Sequence, residues 1–287
     1  QECRRYLNTR TVERAKEKLH HYKEWRLKYR LDEDVGSQAL DNMDTKQKDN
    51  ALWEKAIRMS LWYFPLFAEQ TQDSTSSLGS SSRSKGNGRK TKKSVTPSNE
   101  ADLIKHLPRF VRIYDNATCN DEDARSHTAS VDNVENRGGK RVLHMFMNMV
   151  DSCIAPLKFY ALVMAIYLDL HLDRNSMESI VAVIDVRQGK GWCNPSPLTL
   201  LPFLKDSIKH MEFSPERLYR CIVHPIPYPA KPIWLIAKGA LKESMVKRVR
   251  IHWGSASVKS PAPKTLGNFF DKDDLELFEN VRRSEFR

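Results

Sequence analysis

SPERLYRCIVHPIPYPAKPIWLIAKGALKESMVKRVRIHWG, residues 214–254, decides how this chain is read. Arg217 to His224 carries the β-branched and aromatic residues of a strand. Pro225, Pro227 and Pro229 break it and stiffen the approach to the next element. A short helix then begins near Lys231, with Pro232 in the first turn, where a missing N–H costs nothing. Ile233, Ile236, Ala237, Ala240 and Leu241 lie along one face of it. Trp234, Leu235 and Ala230 extend the apolar surface around the same helix. A helix apolar over so much of its circumference is buried or covers something apolar, and core packing is the commoner role. A second strand, Lys247 to Trp253, closes the stretch, and the charges Glu216, Lys247 and Arg248 fall where the two strands begin. That order of elements can build a greasy lid over a cavity.

Outward from this stretch, buried strands alternate with helices. Ser179 to Val186 (SIVAVIDV) is a run of β-branched residues of the kind covered on both faces. Arg109 to Tyr114 and Arg141 to Met147 read as two further strands. Pro156 to His171 and Pro197 to Met211 read as helices between strands. The greasiest run, Ile154 to Leu168, is interrupted by Lys158 and is shorter than the roughly 20 residues a membrane span needs, so it is expected to be a core helix. Alternation of this kind predicts an α/β sheet with crossover connections.

Two amphipathic helices come first. Val12, Ala15, Leu19, Tyr22, Trp25 and Tyr29 recur at helical spacing behind Thr11, and Trp53, Ala56, Ile57, Leu61 and Phe64 share a face between Asn50 and Phe64, where Pro65 stops the helix. They suggest a small helical domain over 1–68. Residues 69–100, rich in Ser, Thr, Gly, Lys and Arg, offer nothing to offset the entropy of ordering and are expected to be a flexible insert. The remaining 101–287 form the main domain, with a second polar insert at 116–135.

Composition bounds the partners. The net charge is +11, from 47 basic and 36 acidic residues, which favours anionic surfaces. Much of that charge sits in the insert, in a run from Arg83 to Lys93 without an acid, whose ordinary reading is a solvated linker. Charge alone is no argument for nucleic acid, and no nucleic-acid module is recognisable. Five cysteines (Cys3, Cys119, Cys153, Cys193 and Cys221) without a CxxC point to a reducing, cytoplasmic setting and no structural zinc. Cys221 and His224 would face opposite sides of a strand. The opening QECRRYLN, without an initiator Met, is expected to mark a trimmed fragment. No P-loop, GxSxG, HExxH or Cys-x5-Arg pattern is present. His106, His127, His144, His171, His210, His224 and His252 are scattered without a motif around any of them, so no catalytic residue is expected.

Five blocks, taken in order, resemble the CRAL-TRIO family of lipid-binding proteins. ERAKEKLHHYKEWRLKY (Glu13 to Tyr29) resembles its N-terminal helix ending in a Trp-Arg pair, and NRGGKRVLHM (Asn136 to Met145) its turn and strand. IVAVIDVRQGKG (Ile180 to Gly191) is similar to the strand that ends in an aspartate. SPERLYRCIVHPIPYP and KPIWLIAKGALKESMVKRVRI are similar to the family's "Y-P-E-R-L … N-A-P" segment and its gate helix with the following strand. The resemblance implies a mixed, mainly parallel sheet flooring an apolar pocket, closed by a gate helix over lipid chains and preceded by helices. It implies a soluble, monomeric protein, cytoplasmic and peripherally bound to membranes, which needs no cofactor beyond its lipid. Three positions match those that hold the headgroup in phosphatidylinositol binders: Glu216, Arg248 with Lys247 as a one-residue register alternative, and, less directly, Arg10. The matching basic position is usually lysine in the family; the Arg248 guanidinium is a planar fork suited to phosphate. A structural ion pair between Glu216 and Arg248 is the bland alternative. Met245 replaces a threonine that assists phosphate binding, His224 replaces an asparagine, and Ile180 and Ala182 stand where choline binders place hydroxyls. The expected function is therefore binding and transfer of a phosphatidylinositol-type lipid. A lipid-sensing scaffold without transfer, and a carrier of another apolar ligand, are the alternatives.

Overall fold

The computed structural model describes residues 11–31, 43–64, 66–67, 97–115, 141–172, 179–189, 197–213, 217–240 and 243–285. Two helices lead: α1 (Val12–Lys28) and α2 (Thr45–Tyr63). α2 starts well before Asn50 because Asp44 caps it, its carboxylate accepting from the Gln47 N–H at 2.8 Å. α1 buries Ala15, Tyr22, Trp25 and Arg26, whereas Val12 stays half exposed. A short helix, α3 (Glu100–His106), capped by Asn99, begins at the last residue of the expected flexible insert. The rest of that insert, 69–96, and the polar insert 116–135 lie outside the described residues.

The sheet has five strands in the order β1-β2-β3-β4-β5: β1 (Val111–Tyr114), β2 (Arg141–Phe146), β3 (Ile180–Asp185), β4 (Leu218–Ile226) and β5 (Val249–Trp253). β1 is antiparallel to β2, and every later pair is parallel. Parallel neighbours need crossovers: α4 (Leu157–His171) between β2 and β3, and α5 (Pro197–Phe213) between β3 and β4. Between β4 and β5 run α6 (Lys231–Ala240) and α7 (Glu243–Arg248). Because the strands are laid down in one direction, right-handed crossovers place these helices on one face of the sheet, here called the front. The opposite face would be bare, and the segment after β5 covers it with a 3-10 turn (Lys264–Asn268) and α8 (Lys272–Glu285).

Two apolar clusters result. The front cluster joins Leu143, Met145, Ile180 and Ala182 to nearly the whole of α4, to Phe203 of α5, and to Tyr22, Trp25, Trp53 and Ile57 of the leading helices. α4 is apolar on every side because the sheet, α2 and α5 enclose it. The back cluster packs Val142, Val181, Val183 and Ile222 against Leu266, Phe270 and Phe278. β3 therefore is covered on both faces, as its β-branched run predicts.

Polar contacts tie the leading helices down. Arg26 and Tyr22 of α1 both engage the Asp169 carboxylate of α4, the tyrosine at 2.6 Å. Asp49 of α2 meets Arg109, the Tyr167 hydroxyl and, at 3.2 Å, His171. Those partners hold the Asp49 carboxyl below its ordinary range although burial opposes it.

Candidate functional site

β4 carries the geometry that separates the two faces. A bulge at Tyr219 lets Leu218 pair with Ile180 and Arg220 with Val181, after which Cys221, Ile222, Val223 and His224 pair with Ala182, Val183, Ile184 and Asp185. Ala182, Ile184, Cys221 and Val223 consequently point to the front, joined from β5 by Val249 and Ile251. Arg220, Ile222 and His224 point to the back with Asp185, so Cys221 and His224 stand on opposite faces as expected. Pro225 continues β4 beyond His224 because the register with β5 shifts between Val223 and Ile226, where a residue without an N–H is tolerated.

Over β4, β5 and the end of β3 at Ile184 the front is apolar and, among the described residues, unsealed. Ile184, Cys221, Val223, Val249 and Ile251 are each only partly buried, while Leu143 and Met145, under α4, are buried. Water-accessible apolar side chains on a parallel sheet are a costly arrangement unless something apolar covers them. The α6–α7 crossover is on that side. Burial pushes the Cys221 thiol up to about 12, which holds it protonated.

α6 begins at Lys231, as its sequence predicts, after a 3-10 turn at Tyr228–Ala230. One side of it faces water. Leu235 is 60% exposed and shares a face with the exposed Lys231 and Lys238, while Trp234 is half-buried. Spacing explains this: 231, 235 and 238 fall on one stripe, so Leu235 belongs with the lysines. The side chains of Ile233, Ile236, Ala237 and Ala240, and Leu241 altogether, lie outside the described residues, as do Glu216 and Arg10.

The basic pair is placed differently from the sequence expectation. Lys247 and Arg248 end the short helix α7, and β5 starts only at Val249. The Glu243–Lys247 ion pair at 2.9 Å and two cations in the last turn favour one more helical turn there. Lys247 is exposed and turned to Glu243. Arg248 is half-buried, and its Nη1 donates to the Leu218 carbonyl at 2.6 Å, which fixes it beside the first residues of β4. Of the two register alternatives, Arg248 is thus the one brought to the rim of the open floor.

A shallow cavity of about 240 Å³ lies at the carboxyl ends of β4 and β5, between Pro225, Trp253, Gly254, Pro261 and Lys264. It is smaller than the 300–1,000 Å³ usual for a drug-sized guest and is not the open floor. Among the described residues no helix is long and apolar enough to cross a membrane.

Residues 133–278 match the family model described as the CRAL/TRIO domain, which spans β2 to α8. No curated protein is similar enough to the chain to count as a match.

Proposed function

The chain belongs to the CRAL/TRIO family, whose members bind small lipophilic ligands, and we propose that its ligand is a phosphatidylinositol-type phospholipid held on the front of the sheet. The observation that carries this reading is the unsealed apolar floor of Ile184, Cys221, Val223, Val249 and Ile251 with Arg248 at its edge. Acyl chains cover the floor. Burial is worth roughly 0.8 kcal/mol per CH₂, and a bilayer offers the tails nearly the same, so tail burial leaves extraction close to neutral. Headgroup contacts then decide which lipid is taken. Arg248, anchored through Nη1 at the Leu218 carbonyl, brings a guanidinium charge to a phosphate there, next to the strand that Glu216 precedes.

The outside of α6 supports exchange at an anionic membrane. Tyr228 is 71% exposed and stacks on Trp253 with ring centroids 6.0 Å apart. With Leu235 it offers apolar groups between the exposed Lys231 and Lys238, and no acidic residue occurs from Arg217 to Lys242. Aromatic and aliphatic tips among lysines suit the interface of an anionic leaflet. α6 would move when the lipid enters or leaves. The protein acts here as a binder, not an enzyme. The elevated Cys221 thiol and the absence of a nucleophile-base motif support that reading.

Mass spectrometry of lipid extracted from the natively purified protein, followed by loading from vesicles containing phosphatidylinositol, tests the proposal. A stoichiometric anionic phospholipid is expected, with Arg248→Ala lowering its loading about tenfold or more in a folded protein. An empty protein that also refuses lipid from vesicles, or unchanged loading in Arg248→Ala, overturns the assignment.

A further inference from the structure

The back of the sheet holds a polar cluster for which lipid binding has no use. His144 of β2, Asp185 of β3 and His224 of β4 are buried, with ligating atoms within 4.8 Å of one another. Their types suggest a metal site, but the geometry favours another reading. The Asp185 carboxylate is already occupied: Oδ1 accepts from the Arg187 N–H at 2.9 Å and from Arg187 Nε at 3.0 Å. Oδ2 accepts from Arg187 Nη2 at 2.7 Å, and Arg282 Nε stands 3.4 Å away. A dication here would sit against two guanidiniums with no free carboxylate lone pair to hold it.

The histidines are the open members of the cluster. Neither ring nitrogen of His144 has a hydrogen-bond partner among the described residues, and neither does Nδ1 of His224. His144 is 0% exposed and sits among the rings of Tyr114, Phe146 and Phe278. An imidazole so placed is neutral, and a proton is the one small cation it can take.

We propose that His144 and His224 form a proton-operated latch whose protonation releases α8 from the back of the sheet. α8 is held by Phe278 in the back cluster, by Arg282 donating to the carbonyls of Gln188 at 2.7 Å and Val258 at 3.2 Å, and by Glu279 paired with Arg187 at 2.6 Å. Glu285 at its end pairs with Arg112 of β1. Protonated histidines would add charge beside these contacts. The groups facing them are Asp185 and Arg187 from β3 and its following residues, Arg112 and Tyr114 from β1, His252 from β5, and Arg282 and Glu279 from α8. Only Asp185 acts directly on both imidazoles to favour their protonation, against Arg187 on both, His224 and Arg112 on His144, and His252 and Arg282 on His224. Burial is the largest cause that keeps them neutral, lowering His144 to about 3 and His224 to about 4.

Linkage fixes the sign. With α8 detached, both rings meet water and return to the ordinary imidazole range near 6.5, so the detached state binds more protons. Acidification below that value favours detachment. Release can stay local because the back cluster is separate from the front one, and no strand follows α8 among the described residues.

Hydrogen–deuterium exchange at pH 7.5 and 5.0, with labelling times scaled to intrinsic exchange, tests the latch. Peptides covering 272–285 are expected to exchange about tenfold or more faster at pH 5.0, while those of 157–171 keep their protection. The double substitution His144→Phe with His224→Asn is expected to abolish the acceleration. His144→Phe alone forfeits no hydrogen bond to a described residue and is expected to reduce it several-fold; it serves if the pair fails to fold. Equal protection of α8 at both pH values, acceleration that survives in the variants, or loss of α4 protection in step with α8 each overturns the proposal. No ligand enters the readout, so its outcome leaves the lipid assignment untouched.

Discussion

The same strands present two unlike surfaces. On the front, Ile184, Cys221, Val223, Val249 and Ile251 form an apolar floor that is only partly covered. On the back, Val181, Val183 and Ile222 are sealed under Phe270 and Phe278, and a clasp of Asp185, Arg187, Glu279 and Arg282 binds the cover in place. Alternation along β4 assigns its residues from Arg220 to His224 to one or the other. The back invests its buried surface and charge pairs in stability, while the front leaves apolar area only partly covered.

Breaking the clasp should have the largest effect. Asp185→Ala removes the carboxylate that Arg187 grips through its backbone and side chain, leaving a nearly fully buried guanidinium with only Glu279 and the Ser260 carbonyl among the described residues. A loss of about 3–5 kcal/mol in urea unfolding is expected. A loss under about 1 kcal/mol would show that the back face is not the stabilising one.

Neighbouring residues of β4 offer a sharper contrast. Ile222→Ala opens a void in the sealed face and should cost about 2–5 kcal/mol. Val223→Ala, one residue on and half-buried, should cost less than about 1 kcal/mol in the lipid-free protein. Equal losses from denaturation midpoints would mean the front is packed as tightly as the back.

Acid should weaken the back through its two buried histidines, and more gently per step. His144 and His224 have folded pKa values lowered to about 3 and about 4, so the unfolded chain takes up their protons first. Their neutral burial is compatible with full stability above the unfolded value near 6.5. Below it, stability falls by up to about 1.4 kcal/mol per pH unit for each ring, until the folded values are reached. Melting temperatures between pH 7.5 and 4.5 check this, and His144→Phe should flatten the slope. A melting temperature that holds down to pH 4.5 would contradict the depressed values.

Local signals made the front legible. The unbroken run Ile180 to Asp185 announces a strand covered on both sides, and Pro232 with its apolar followers announces α6 where it is found. The boundary at Lys247 misleads because an i,i+4 pair with Glu243 outweighs the strand pattern that resumes at Val249. α8 is hard to see because KDDLELFENVRRSE is dominated by charge. Its signals are present nonetheless: Asp271 accepts from the Asp274 N–H at 2.8 Å, and Asp274, Phe278 and Arg282 recur every four residues on the buried side.

The alternation of helices and buried strands, the family and the helix on its proline approach can all be read from the residues, because each rests on neighbours in the chain. Only the tertiary structure decided that Arg248, not Lys247, reaches the rim of the floor. It alone assembled His144, Asp185, Arg187, His224 and Arg282 into one buried cluster. Those residues come from four separate stretches of chain, and parallel register together with a bulge at Tyr219 brings them to one face. A one-residue slip in that register would send His224 to the opposite side, and no local pattern specifies it.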